Sequence, residues 1–147
     1  MSAAVREKTY EDICAEVGRF YARHVQLMDE GRAEEAADTF TEEASMVSPP
    51  KISTPIVGRA ALAAGLRANA DQLAADGIRY RRCYSTILVE VRDDGSVFAR
   101  SYVQVIRTER DKGSYLHAMC VCEDVLVRTD GELKVAERVA IRDDDSI

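Results

Sequence analysis

The chain has 147 residues, long enough to bury a sizeable core within one domain. Twenty Lys and Arg against 26 Asp and Glu leave a net charge of −6, and no basic stripe is visible, which argues against nucleic-acid binding. The opening MSAAVREKTYED lacks the apolar core of a signal peptide and no run is long enough to span a membrane, so the expectation is a cytoplasmic protein with no membrane partner.

Met1–Lys8 reads as a loose end. Thr9 suits a helix N-cap, with Glu11 and Asp12 in the first turn, where carboxylates complement the helix dipole. Ile13, Val17, Phe20, Tyr21, His24, Leu27 and Met28 then recur at helical spacing. Gly18 inside this helix points to a close packing contact. Asp29-Glu30-Gly31 ends the helix, and Arg32–Phe40 is predicted as a second, short one. Ser45–Ser48 is predicted as a short strand, and Pro49, Pro50 and Pro55 make Pro49–Val57 a loop. After Gly58 a third helix runs to about Ala75, with Leu62, Leu66, Ala70 and Leu73 on its apolar stripe and Gly77 beyond its end. Strands follow over Ile78–Val91 and Val97–Thr108. The four cysteines, Cys14, Cys83, Cys120 and Cys122, fit neither a zinc-site nor a CxxC spacing; Cys120 and Cys122 fall on one strand face and are read as small buried hydrophobes.

The chain closes on Leu116–Ile141, two β-rich runs joined at Asp130-Gly131, a strong type I′ hairpin signal. With a two-residue loop, Thr129 faces Glu132, Asp124 faces Glu137 and Glu123 faces Arg138. Alternation then puts Asp124 and Glu137 side by side on the more apolar, inner face, and His117, Glu123 and Arg138 on the outer one. A carboxylate on an apolar face is costly unless it is protonated or paired, for instance with Arg100 or Arg82. The outer face carries Met119, Val121, Val125 and Val127 beside Ala136 and Ala140, an apolar surface that predicts a homodimer packed through the convex sides of the sheets, with Glu123 and Arg138 at its interface.

Helices first and a meander afterwards give an α+β fold, a curved antiparallel sheet with three helices over its concave side. That order resembles the NTF2-like cone, and local motifs add to it. Phe20–Pro50, FYARHVQLMDEGRAEEAADTFTEEASMVSPP, is similar to the opening of ketosteroid isomerases and SnoaL-like polyketide cyclases. Ile56–Leu62 resembles their entry to the third helix, and Asp124–Arg138 the SnoaL-like closing hairpin, with Leu133 where an aromatic is common. The resemblance covers nearly the whole chain from Tyr10 and implies one NTF2-like domain over residues 1–147.

Carried over residue by residue, the resemblance implies a site. His24 falls where the isomerases place the tyrosine that donates to the substrate oxyanion, and shares its stripe with Tyr21. Asp124 falls near their second donor, a protonated carboxylic acid, if one turn is a residue shorter here. Ser48 stands where their base, an Asp, would be, which argues against the same steroid chemistry. Strands three and four lack the two histidines of scytalone-type dehydratases, and Asp29 matches one of their carboxylates but equally a generic helix-ending Asp. The candidates are thus His24 and Asp124 as catalytic residues, and Tyr21, Ser48, Tyr102 and Glu137 as substrate-binding residues; whether Ser101 or Tyr102 points inward is open. No Ser-His-Asp arrangement, phosphate loop or metal-ligand spacing is visible, so no cofactor and no metal are expected. The implied function is a cofactor-free cyclase, isomerase or dehydratase acting by acid–base chemistry on a small apolar, polyketide-like carbonyl compound in bacterial secondary metabolism. The alternative is a non-catalytic subunit like the β subunits of ring-hydroxylating dioxygenases, or a ligand-binding module.

Overall fold

A computed structural model describes residues 7–147. Of the expected loose end, residues 1–6 lie outside the described residues; Glu7 and Lys8 are exposed and carry no regular structure. Helix α1 spans Tyr10–Asp29 and opens on a capping box. The Thr9 hydroxyl accepts from the Asp12 amide at 3.1 Å, and the Asp12 carboxylate accepts from the Thr9 amide at 2.9 Å. Then come α2 (Ala33–Ala37), β1 (Phe40–Ser48), β2 (Ile52–Val57), α3 (Arg59–Ala75), β3 (Ile78–Val91), β4 (Val97–Glu109), β5 (Gly113–Thr129) and β6 (Glu132–Arg142). The strands form one curved, unclosed sheet in the order β2-β1-β6-β5-β4-β3. The sheet is mixed rather than wholly antiparallel, because β1 runs parallel to β6. Each layer gives residues to one core, including Val17 and Tyr21 of α1, Phe40 of β1, Leu62 of α3, Leu126 of β5 and Val135 of β6. Burying one such side chain contributes about 1.5–3 kcal/mol.

Three local expectations change. The second helix is shorter than Arg32–Phe40 because Phe40 opens β1 and is buried in the core, so β1 is more than twice as long as Ser45–Ser48. The Pro49–Val57 loop contains strand β2, where Pro55 is tolerated because β2 is an edge strand with one unpaired side. Gly18 meets no other atom within 4 Å of where a Cβ would stand, so no close contact explains it.

The expectation that decides the site is the register of the last hairpin. Its turn forms as expected, with positive φ at Asp130 (53°) and Gly131 (82°), and Thr129 faces Glu132. Leu126 pairs with Val135, but Val125 pairs with Glu137, so Ala136 is an extra residue in β6. Such a bulge reverses which face every later side chain takes. Asp124 therefore faces Arg138, not Glu137, and Glu123 faces Val139, not Arg138. Arg138 is buried and Glu137 is exposed, the reverse of the expected placement. Val139 and Ile141 turn to the convex side. A second irregularity leaves His117 between the Val105–Ala118 and Ile106–Leu116 pairs, and its ring stacks on Tyr80 at 5.5 Å instead of lying outside by parity.

Candidate functional site

Where α1 crosses the concave face, buried polar side chains gather. The inner stripe of α1 supplies Tyr21 and His24. Strand β5 supplies Cys122 and Asp124, β6 supplies Arg138, β3 supplies Tyr84, and Thr39 sits just before β1. Asp124 is wholly buried and accepts four donors. Its Oδ1 takes Arg138 Nε at 2.8 Å and the Cys122 thiol at 3.4 Å; its Oδ2 takes Arg138 Nη2 at 2.8 Å and the Tyr21 hydroxyl at 2.7 Å. Two parallel guanidinium bonds and a phenol on an acceptor-only group are the geometry of a carboxylate. The expectation of a protonated Asp124 beside Glu137 is corrected: the neighbour is a cation. The Arg138 guanidinium lies 5.2 Å over the Phe40 ring and 5.8 Å over the Tyr84 ring, so two aromatic faces pack against the cation that Asp124 holds through Nε and Nη2. Burial, and then Asp124, push the Tyr21 hydroxyl far above its ordinary range and keep it a donor. Burial pushes the Cys122 thiol up to about 12, which keeps it inert.

His24 is also wholly buried. Its Nδ1 lies 2.6 Å from the Thr39 hydroxyl, and its ring stacks on Phe20 at 5.4 Å and meets Phe40 edge-on at 5.4 Å. Burial first, then the charges of Arg138 and Arg82, push the imidazole well below its ordinary 6.5, so it is neutral at physiological pH. Among the described residues its Nε2 has no hydrogen-bond partner, and neither does the buried hydroxyl of Ser101. His24 and Asp124 do not bond to each other. Tyr21 links them, with its hydroxyl on Asp124 and its ring edge-on to His24 at 6.4 Å.

The remaining candidates lie elsewhere. Of the Ser101–Tyr102 pair, Ser101 points inward and is buried, whereas Tyr102 is exposed on the convex face beside Arg100. Glu137 is exposed next to an outer groove that also touches Lys134 and Ala136. Ser48 ends β1 half-buried. Asp29 closes α1 but does more than cap it. It bonds Arg82 Nη1 at 2.6 Å and the Arg82 amide at 3.1 Å, tying α1 to β3. Burial lifts the Asp29 carboxyl above its ordinary range against the pull of these Arg82 donors. This pair lines a groove of about 470 Å³ between the end of α1, α3 and β3, together with Met28, Leu66, Leu73 and Tyr80. Among the described residues no three His, Cys, Asp or Glu side chains gather as a metal-ligand set. No helix of the described residues is long and apolar enough to cross a membrane.

Sequence reasoning missed Arg138, Tyr84 and Thr39 as members of the cluster. The one available signal was the need of a buried Asp124 for a cation. It points to Arg100 or Arg82, since simple alternation puts Arg138 outside.

The model of the SnoaL-like domain matches residues 11–139. No curated protein matches the chain. Among solved structures, Aln2 from a Streptomyces species is 32% identical with a TM-score of 0.83, over 96% of this chain and 97% of that one. ActVI-ORFA from Streptomyces coelicolor is 30% identical with a TM-score of 0.81, over 90% and 98%. A Catenulispora acidiphila protein in complex with S-DNPA is 30% identical with a TM-score of 0.82, over 92% and 97%. Helices, six-stranded cone and family match agree: the chain belongs to the SnoaL-like family of NTF2-like proteins.

Proposed function

We propose that the protein is a cofactor-free acid–base enzyme that forms and redirects an enolate on a small apolar, polyketide-type carbonyl compound, by cyclisation, isomerisation or dehydration. The observation that carries this is a neutral, buried imidazole whose Nε2 has no partner, in the same aromatic shell as a buried guanidinium. A bare imidazole nitrogen accepts the proton α to a carbonyl. The N–H groups of Arg138 that Asp124 does not occupy stabilise the oxygen on which charge develops, a contribution of ~10²–10³ in rate for one such donor. Asp124 and Tyr21 hold that guanidinium in place. Relative to the isomerases the electrophile is thus a cation rather than a protonated acid.

S-DNPA is bound by the Catenulispora acidiphila relative, which makes it the first compound to offer this chain. The test is exchange of α-protons in heavy water, followed by NMR over a panel of S-DNPA and polyketide-type 1,3-dicarbonyl compounds. The parent should catalyse exchange, and His24→Ala should lose about 10²–10⁴-fold of it with an unchanged circular dichroism spectrum. Exchange within a few-fold of the parent in His24→Ala sinks this role for His24.

One observation favours the second reading, a non-catalytic subunit or binding module: His24 and Asp124 have no exposed surface. A panel that binds without exchanging a proton selects that reading. In either case the protein is assigned to the cytoplasm as a homodimer packed through the convex faces. The support for the dimer is apolar surface there: Leu88 is 51% exposed and Tyr102 42% exposed, and Val139 and Ile141 have joined Val121 and Val125 on that side. Sedimentation should give a dimer at micromolar concentration; a monomer overturns the assembly.

A further inference from the structure

We infer that Thr39 is the positioning residue that decides which nitrogen of His24 is bare. The inference rests on the acid–base reading above, and deepens it by naming what sets the base. The argument is a proton count. The Thr39 hydroxyl has one proton and lies within hydrogen-bonding reach of two groups, the Ala36 carbonyl and His24 Nδ1. A carbonyl only accepts, so the hydroxyl proton goes to Ala36. The hydroxyl then has only lone pairs to offer the imidazole. Because Thr39 is 4% exposed and His24 is wholly buried, water does not stand in for either group. His24 Nδ1 therefore carries the ring proton and donates it to Thr39. In a neutral imidazole only one nitrogen is protonated, so Nε2 holds a lone pair.

The chain of dependence begins in local backbone. The Ala36 carbonyl belongs to the last turn of α2, where helical carbonyls lack an intrahelical amide. Thr39 follows two residues beyond that helix, and its amide also returns to Ala36 at 3.1 Å. Its own carbonyl accepts from the Val135 amide at 2.9 Å, which pins it to β6. Thr39 is thus held from both sides, with its hydroxyl fixed between a helix end and the imidazole. A free imidazole favours the proton on Nε2, the tautomer that would leave no lone pair there. Thr39 reverses that preference.

The test needs no substrate, so it can fail separately from the enzymatic reading. The chain has two histidines, and His117→Gln leaves His24 as the only imidazole signal. Long-range proton–nitrogen correlation on the nitrogen-15-labelled protein distinguishes a protonated from a bare ring nitrogen directly. In the H117Q background His24 should show a protonated Nδ1 and a bare Nε2, unchanged between pH 8 and pH 6. Thr39→Ser keeps both bonds and should keep that spectrum, whereas Thr39→Val removes both and should move the proton to Nε2. A protonated Nε2 with Thr39 intact overturns the inference, and so does a Thr39→Val protein that retains the Nδ1 proton. Should Thr39→Val fail to fold, the parent and Thr39→Ser spectra decide it alone. If the tautomer behaves as expected but His24→Ala retains turnover, the positioning stands and the enzymatic role falls.

Discussion

Two Asp–Arg pairs lie along the concave face, and they answer burial in different ways. Asp124–Arg138 sits at the deep end, its side chains 0% and 5% exposed, with two parallel bonds, a phenol and a thiol closing the carboxylate. Asp29–Arg82 sits at the wall of the groove, 5% and 17% exposed, with one guanidinium bond and one backbone amide. The deep pair has given up water and replaced it with protein donors and aromatic faces. The outer pair keeps part of its arginine in the groove and joins two elements. Identical chemistry thus makes a fixed charge in one place and a staple in the other, and the difference is solvent access rather than residue type.

The sharpest break between them is truncation. Arg138→Leu strands a buried carboxylate and should destabilise the protein by about 3–5 kcal/mol, as read from urea unfolding. Adding Asp124→Leu should recover most of that loss, because the stranded charge goes with it. Asp29→Ala leaves an arginine that still reaches water, and should cost about 1–2 kcal/mol. Equal losses at the two positions would mean that burial does not separate them.

A smaller effect sharpens the comparison through pH. His24 shares the deep end, and its folded-state value is pushed well below the ordinary 6.5, mainly by burial. The unfolded chain therefore binds a proton at His24 before the folded one does. Its stabilising contribution is complete above pH 6.5 and is lost as the pH falls, by about 1.4 kcal/mol per unit once the unfolded histidine is charged. On the exposed side, Arg128 and Lys8 hold the Glu16 carboxyl down at about 2. That carboxylate stabilises above its ordinary value of 4.5 and stops doing so only as the pH falls towards 2, with a screened contribution below about 1 kcal/mol. Stability measured from pH 7 to pH 5 should fall in the parent and fall less steeply in His24→Gln, where His117, also held below its ordinary value by burial, still contributes.

The same contrast separates what was legible from what was not. The inward direction of His24 and Tyr21 is legible because a helix repeats rigidly from its cap. Thr9, Asp12 and the apolar stripe fix the phase of all of α1. The inward direction of Asp124 was also legible, since it lies on β5 between the turn and the irregularity at His117. Arg138 was not, because one extra residue at Ala136 turns it from the outer to the inner face. The stretch Val139-Ala140-Ile141 is apolar on both parities, so nothing local reports the shift. Phe40 reads locally as part of a helix because its strand partner, Val135, is far away in sequence.

The sequence by itself determined the element order, the caps and turns, the family and the inward stripe of α1, all of which rest on interactions between near neighbours. The tertiary structure decided the parallel pairing of β1 with β6, the bulge in β6, and hence that Asp124 meets a guanidinium rather than a second carboxylate. The unbulged register would turn Val139 and Ile141 inward, whereas the observed one turns Arg138 and Ala140 inward. What tips the balance is the electrostatics of a wholly buried carboxylate, which is stable beside Arg138 and would be costly beside Glu137. Asp124, Glu137 and Arg138 all lie in one hairpin, so a window of sequence contains the three charges; what it lacks is the cover of α1 that buries Asp124 and makes the choice of neighbour decisive.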